Sequence, residues 1–241
     1  MTFLIQTIAR QAQAAFARSV TDEAFPECFS KLRRLVNQVT CADVGLDDAA
    51  LHSTTGTWVN GATIAPVTYI SLFENVTFTM GIFIVKRGAR LPLHDHPGMF
   101  GILKVIHGSA NVTSYSVKQR KRLHTIHSRS IFSIQPNMSK EVLLVEKRVH
   151  ENVNASSEAC CLTPTDGNLH EITTVDQPVA FLDVLAPPYD MERRTCHYYK
   201  VLQGSQEGIM VQEIPPPHDY WCDSEDYRGP ALNESIVSGH L

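Results

Sequence analysis

From residue 67 onward the apolar residues stop recurring at helical spacing and alternate instead. The alternating runs fall at 67–73, 78–85, 102–115, 131–134, 141–149, 160–163, 170–174, 180–185, 197–202 and 209–213, each bounded by Gly, Pro, Asn or charged residues. A period of two puts successive side chains on opposite faces of a strand, so each run offers one apolar face to a core. Many short strands at such spacing predict antiparallel pairing in a sandwich or barrel.

The chain before these runs has another period. In 2–18, Leu4, Ile5, Ile8, Ala12, Ala15 and Phe16 form one apolar stripe, predicting an amphipathic helix rather than a signal peptide. Arg10 and Arg18, with no acidic residue before Asp22, give it a faint likeness to a transit helix, but the Arg and Ser bias of such segments is missing. A second helix is predicted over 26–39 with Phe29, Leu32, Leu35 and Val36 inward, and 45–62, rich in Ser, Thr and Gly, reads as loop. The 241 residues suffice for one well-buried domain. The expected organisation is a helical segment and loop at 1–62 packed on a β domain at 63–226, with 227–241 a loose tail poor in apolar residues.

The candidate chemistry lies at 88–108. His94-Asp95-His96 is bracketed by Pro92 and Pro97 and followed by Gly98 and Gly101, which suits a strand end and a bend opening a cavity. On a strand, His94 and His96 share a face and Asp95 takes the other, where a structural role is expected. A bare pair of this kind is equally well explained by two half-exposed histidines on a sheet. The spacing of Gly88, His94, His96, Gly101 and Gly108 resembles the first cupin motif, with glycine at 101 where many cupins carry a glutamate ligand. Asp166-Gly167-Asn168-Leu169-His170 resembles the second motif and supplies another histidine. The implied fold is mainly β, a cupin double-stranded β-barrel or jelly roll with N-terminal α-helices, and the implied ligand set is His94, His96 and His170. The remaining histidines, His107, His124, His127, His150, His197 and His218, lack ligand spacing.

Three neutral imidazoles leave a ferrous ion its full charge and open positions, favouring an anionic co-ligand from the substrate; a thiolate suits. Coordination lowers a thiol's pKa enough to deprotonate it. Oxidation of a thiol to a sulfinic acid releases as many electrons as dioxygen accepts, so no nicotinamide or flavin is needed, and no G-x-G-x-x-G or P-loop is present.

Further segments sharpen the resemblance: Leu-Pro-Leu-His-Asp-His-Pro-Gly-Met at 91–99, Leu-Thr-Pro at 162–164, Asn-Leu-His at 168–170, Phe-Leu-Asp-Val-Leu-Ala-Pro-Pro-Tyr-Asp at 181–190 and Cys-His-Tyr-Tyr-Lys-Val-Leu at 196–202. With 4–12 and Tyr220-Trp221-Cys222, the chain resembles the cysteamine (2-aminoethanethiol) dioxygenase family nearly end to end, and is similar to plant cysteine oxidases. The resemblance implies Fe(2+), dioxygen, and oxidation of cysteamine to hypotaurine and of protein N-terminal cysteine to the sulfinic acid, which would link oxygen level to arginine-dependent degradation. It also matches Cys196 and Tyr198 to positions where a thioether cross-link forms. Tyr198 either places a phenol over the site or packs with its hydroxyl satisfied. Asp183 either accepts a hydrogen bond from a substrate ammonium or is a capping or surface aspartate. A carboxylate-bearing thiol would want an arginine, yet none occurs at 91–119 or 180–190, and Arg90 lies at least ~13 Å along the strand from His94. The competing functions are a cupin isomerase or lyase and a non-catalytic ligand-binding cupin.

Composition enters last. With 21 basic and 25 acidic residues, net −4, nucleic acid and membranes are not expected partners; small molecules and proteins are. The basic cluster within 118–129 reads as a solvated hairpin tip rather than an anion site, because no aromatic residue is interleaved. Six cysteines without a C-x-x-C pair fit a reducing compartment, cytoplasmic with access to the nucleus, and a monomer is expected.

Overall fold

The computed structural model describes residues 3–51, 65–123, 140–202 and 208–238. Among the described residues there are four α-helices, α1 Leu4–Phe16, α2 Phe25–Val36, α3 Asp48–Leu51 and α4 Glu234–Ser238. Between α3 and α4 the described residues form twelve strands in order: β1 Val67–Glu74, β2 Thr79–Val85, β3 Arg90–Asp95, β4 Phe100–His107, β5 Ser109–Leu123, β6 Lys140–Asn154, β7 Cys160–Leu162, β8 Leu169–Thr174, β9 Val179–Ala186, β10 Tyr198–Leu202, β11 Ile209–Ile214 and β12 Cys222–Ser224. One sheet runs β12-β1-β2-β9-β4-β7, and the other closes as β10-β11-β6-β5-β8-β3. The mainly β barrel with helices near its N-terminus is the expected architecture.

The first sheet is covered on both faces, and this explains β9. Its sequence Val-Ala-Phe-Leu-Asp-Val-Leu-Ala is buried at every position, as strands covered on both faces are. Leu182 and Val184, with Ile82 and Ile84 of β2, pack on one side against Ile5, Ile8 and Ala12 of α1 and Leu32 and Val36 of α2. Phe181, with Leu103 and Val105 of β4, packs on the other side against Leu91, Val112 and Ile172 of the closed sheet. Alternation then puts Asp183 on the same inner face as Phe181, between Gly81 and Leu103 in register.

Three expectations need correction. The run 102–115 is two strands, because the chain turns at Gly108 with φ +71°, where a Cβ would stand 2.2 Å from the Pro178 carbonyl oxygen. Its first half joins β9 and its second half joins β6 and β8. Part of the predicted loop at 45–62 is the one-turn helix α3, ending on buried Leu51; 52–64 lies outside the described residues. The tail is not loose through 238. Tyr227 and Leu232 pack against the helix-covered core, Val237 is buried, and the Arg10 guanidinium donates to the Ile236 carbonyl at 2.8 Å. Few apolar residues suffice there because α1 offers them a ready surface.

The predicted strand 131–134, and His124, His127 and Arg129 of the basic cluster, lie outside the described residues. Within β5, Lys118 pairs with Glu146, and Arg120 pairs with Glu141 at 3.0 Å, across the long β5–β6 hairpin.

Candidate metal centre

His94 is the penultimate residue of β3, His96 follows the strand's end, and His170 is the second residue of β8, directly opposite His94 in the antiparallel register. The three rings are buried, with centroids 4.7 to 4.8 Å apart, and their candidate ligand nitrogens all lie within 4.8 Å of one another. Asp95 points the other way, as strand alternation requires. Its carboxylate accepts from the His197 backbone N–H at 2.8 Å and the Tyr199 hydroxyl at 2.9 Å, tying β3 to β10.

Hydrogen bonds fix two of the tautomers. His94 Nδ1 lies 2.7 Å from the Pro92 carbonyl oxygen, which can only accept, so Nδ1 carries the proton. The Tyr189 hydroxyl gives its single proton to the Asp95 carbonyl at 2.6 Å and therefore accepts from His96 Nδ1 at 2.8 Å. Both rings are left with Nε2 lone pairs. His96 Nε2 lies 3.1 Å from His170 Nε2. Burial pushes the pKa of all three imidazoles down, which keeps them neutral as metal ligands must be. Convergent neutral donors, two of them oriented through the far nitrogen, fit a divalent metal ion.

The neighbouring motifs hold this geometry. Asn168 Nδ2 donates to the carbonyls of His96 at 2.7 Å and Thr163 at 2.9 Å, and its own carbonyl accepts from the His96 N–H at 3.1 Å. Position 101 has no space for a carboxylate ligand, since a Cβ there would sit 2.8 Å from side-chain carbons of Leu162 and Leu185.

Asp183 is neither a cap nor a surface residue. It is 6% exposed, and burial raises its carboxyl to about 7. It lines a cavity of about 390 Å³ together with Tyr69, Phe83, Tyr189 and Tyr220. Gly81 makes part of this space: the Tyr69 ring lies over it, with Cε2 2.2 Å from where a Cβ would be. Among the described residues no lysine or arginine lines the cavity, whereas Glu74 and Asp223 do. The histidines do not line it either; Tyr189 joins it to His96. Arg90 is spent at the surface on Asp219, 3.0 Å away.

Tyr198 opens β10 opposite His94, with ring centroids 6.4 Å apart, and lies 5.8 Å from the Tyr220 ring. Burial pushes the Cys196 thiol up to about 11, opposed by hydrogen bonding with Tyr189 and Tyr198, and it pushes the Tyr198 phenol up to about 12. Sequence reasoning assigned no role to Tyr189; its signal was the Pro-Pro-Tyr that ends the β9 motif. The other described histidines, His107, His150, His197 and His218, stay outside the cluster.

Fold and site together define a mainly β barrel whose interior holds a three-histidine site able to bind a metal, beside an acid-lined cavity. The PCO_ADO family model matches residues 35–232, and the chain belongs to that family. It is 36% identical to the 2-aminoethanethiol dioxygenase of Mus musculus, over 96% of this chain and 97% of that protein. The Homo sapiens 2-aminoethanethiol dioxygenase is 34% identical over the same shares. Plant cysteine oxidase 1 of Arabidopsis thaliana is 29% identical over 85% of this chain and 71% of that protein.

Proposed function

We propose that the chain is an iron-dependent thiol dioxygenase acting on aminothiols, converting cysteamine to hypotaurine and a protein's N-terminal cysteine to its sulfinic acid. The observation that carries this reading is a buried, carboxylate-free histidine triad adjoining a cavity that holds Asp183 and no described basic side chain. His94, His96 and His170 would hold ferrous iron, which would supply open coordination positions that favour a thiolate and the activation of dioxygen. Both oxygen atoms enter the product, and the electrons given up by sulfur match those dioxygen accepts.

The chain's own groups select and orient. Asp183 accepts the substrate ammonium, whose positive charge favours the ionised carboxylate that burial alone disfavours. Tyr189 holds the His96 ring through Nδ1. Tyr198 stands beside His94, with Cys196 hydrogen-bonded to Tyr198 and Tyr189, and the pair shapes the approach to the site. Oxidation of protein N-termini would couple oxygen supply to the stability of targets. Cytoplasmic residence with access to the nucleus goes with this reading, supported by six cysteines without a C-x-x-C pair. No helix among the described residues is long and apolar enough to cross a membrane.

The test is oxygen uptake by the ferrous-loaded protein, with isotopically heavy dioxygen, on cysteamine, a Cys-initiated peptide and free cysteine. The first two should turn over with both labelled atoms in the product, and free cysteine poorly, since among the described residues no lysine or arginine lines the cavity to receive its carboxylate. Equal rates for free cysteine and the peptide would overturn the substrate assignment; unlabelled product would overturn the reaction.

A further inference from the structure

Asp183 borders a second, much smaller space. The wide cavity lies over the β12-β1-β2 side of β9; this cleft, about 30 Å³, lies over the β4-β7 side. His170 lines it directly. One cross-strand row of the closed sheet leads into it: exposed Arg148 on β6 pairs with Ser114 on β5, and Ser114 pairs with His170 on β8. Directly opposed residues point to one face of a sheet, so this row runs from solvent to a candidate metal ligand. The facing wall comes from Gly101 and Leu103 of β4 and Leu162 of β7. Gly101 is the position where a cupin with a carboxylate ligand carries glutamate; here it presents bare backbone to the cleft.

We propose that this cleft is a separate entry for dioxygen, distinct from the cavity that takes the thiol. The inference rests on the dioxygenase reading above and adds a route to it. Size is the first argument: 30 Å³ admits roughly one or two water-sized molecules, enough for a diatomic gas and too little for an aminothiol with its carbon chain. The second is the lining: Leu103, Val112 and Leu162 give an apolar gas apolar surface within a cleft that also carries the exposed Arg148 and His150 and the buried His170 and Asp183. The third is need, because a protein N-terminus seated in the wide cavity covers the approach past Tyr189 and Tyr220 while the second substrate must still reach the histidines.

The experiment narrows the cleft with Ser114→Leu and widens it with Leu162→Ala. In the iron-loaded protein, Ser114→Leu should raise the KM for dioxygen roughly tenfold, as obstructed access lowers association rates, with the KM for cysteamine and the iron content unchanged. Leu162→Ala should lower the KM for dioxygen, and if Ser114→Leu fails to fold, an unchanged or raised KM in Leu162→Ala overturns the proposal. Crystals of the unaltered protein under xenon should show the gas between Ser114 and Leu103, and crystals of Ser114→Leu should not. A folded, iron-replete Ser114→Leu with unchanged KM for dioxygen overturns the proposal, as does xenon confined to the wide cavity. Failure of the unaltered protein to consume oxygen with any thiol would sink the dioxygenase reading instead, and this proposal with it.

Discussion

Strands β9 and β10 both deliver residues to the centre, and they are built oppositely. β9 is buried at each of its positions, with helices on one face and the barrel interior on the other. β10 has no buried position, exposes Lys200 and Val201, and meets β3 through the single pair Tyr198 and His94. Asp183 on β9 therefore sits in an environment dictated by close packing, like His94 and His170 on β3 and β8. Tyr198 on β10 depends on a few polar and ring contacts with Cys196, Tyr220 and His94. Metal holding belongs to the packed wall, and the approach of substrate belongs to the softer one.

The largest test of that division is on the packed wall. His170→Ala should remove most iron and nearly all oxygen uptake, a loss beyond the ~10–100-fold that follows removal of a ligand's outer partner. Metal analysis beside the oxygen electrode reads both. Full iron content with normal turnover would mean that His94 and His96 hold the metal with some other group.

Next in size is the residue that joins the two walls. Tyr189→Phe deletes the hydroxyl shared by His96 Nδ1 and the Asp95 carbonyl while keeping the ring. Iron affinity, measured by competition with a chelator, should weaken about 10–100-fold, with the protein still folded. Unchanged affinity would show that packing alone orients His96 and would move Tyr189 wholly to the softer wall.

The same division explains what was legible in the sequence. The His94-x-His96 spacing and the Gly167-x-x-His170 fragment reveal the triad because strand alternation and register are local rules. Position 183 is harder. A lone aspartate in an apolar run reads equally as a cap, and only coverage of both faces of β9 shows that it is buried. Tyr189 is harder still, since its partner His96 is 93 residues away in sequence. The break at Gly108 is missed because the alternation continues in phase on both sides of the turn. The docked tail is missed because what holds it is the surface of α1, not its own composition.

The smallest expected effect is also the finest probe of the packed wall. Asp183→Asn keeps shape and removes the carboxylate, so the KM for cysteamine should rise about tenfold, the difference between a charge-assisted and a neutral hydrogen bond. A thiol lacking the amine should be unaffected. The substitution also has a signature independent of iron. Burial raises the Asp183 carboxyl from its ordinary 3.8 to about 7, so the folded protein holds a proton that the unfolded chain releases. Stability from this site is complete below about pH 3.8 and declines as pH rises through about 7, by roughly 4 kcal/mol in all. Urea denaturation of the metal-free protein should therefore show wild type losing ground to Asp183→Asn between those limits and holding a constant difference above. A flat difference across the whole range would show Asp183 titrating alike in the folded and unfolded chain, hence solvated, and the packed wall would no longer include the residue that reads the amine.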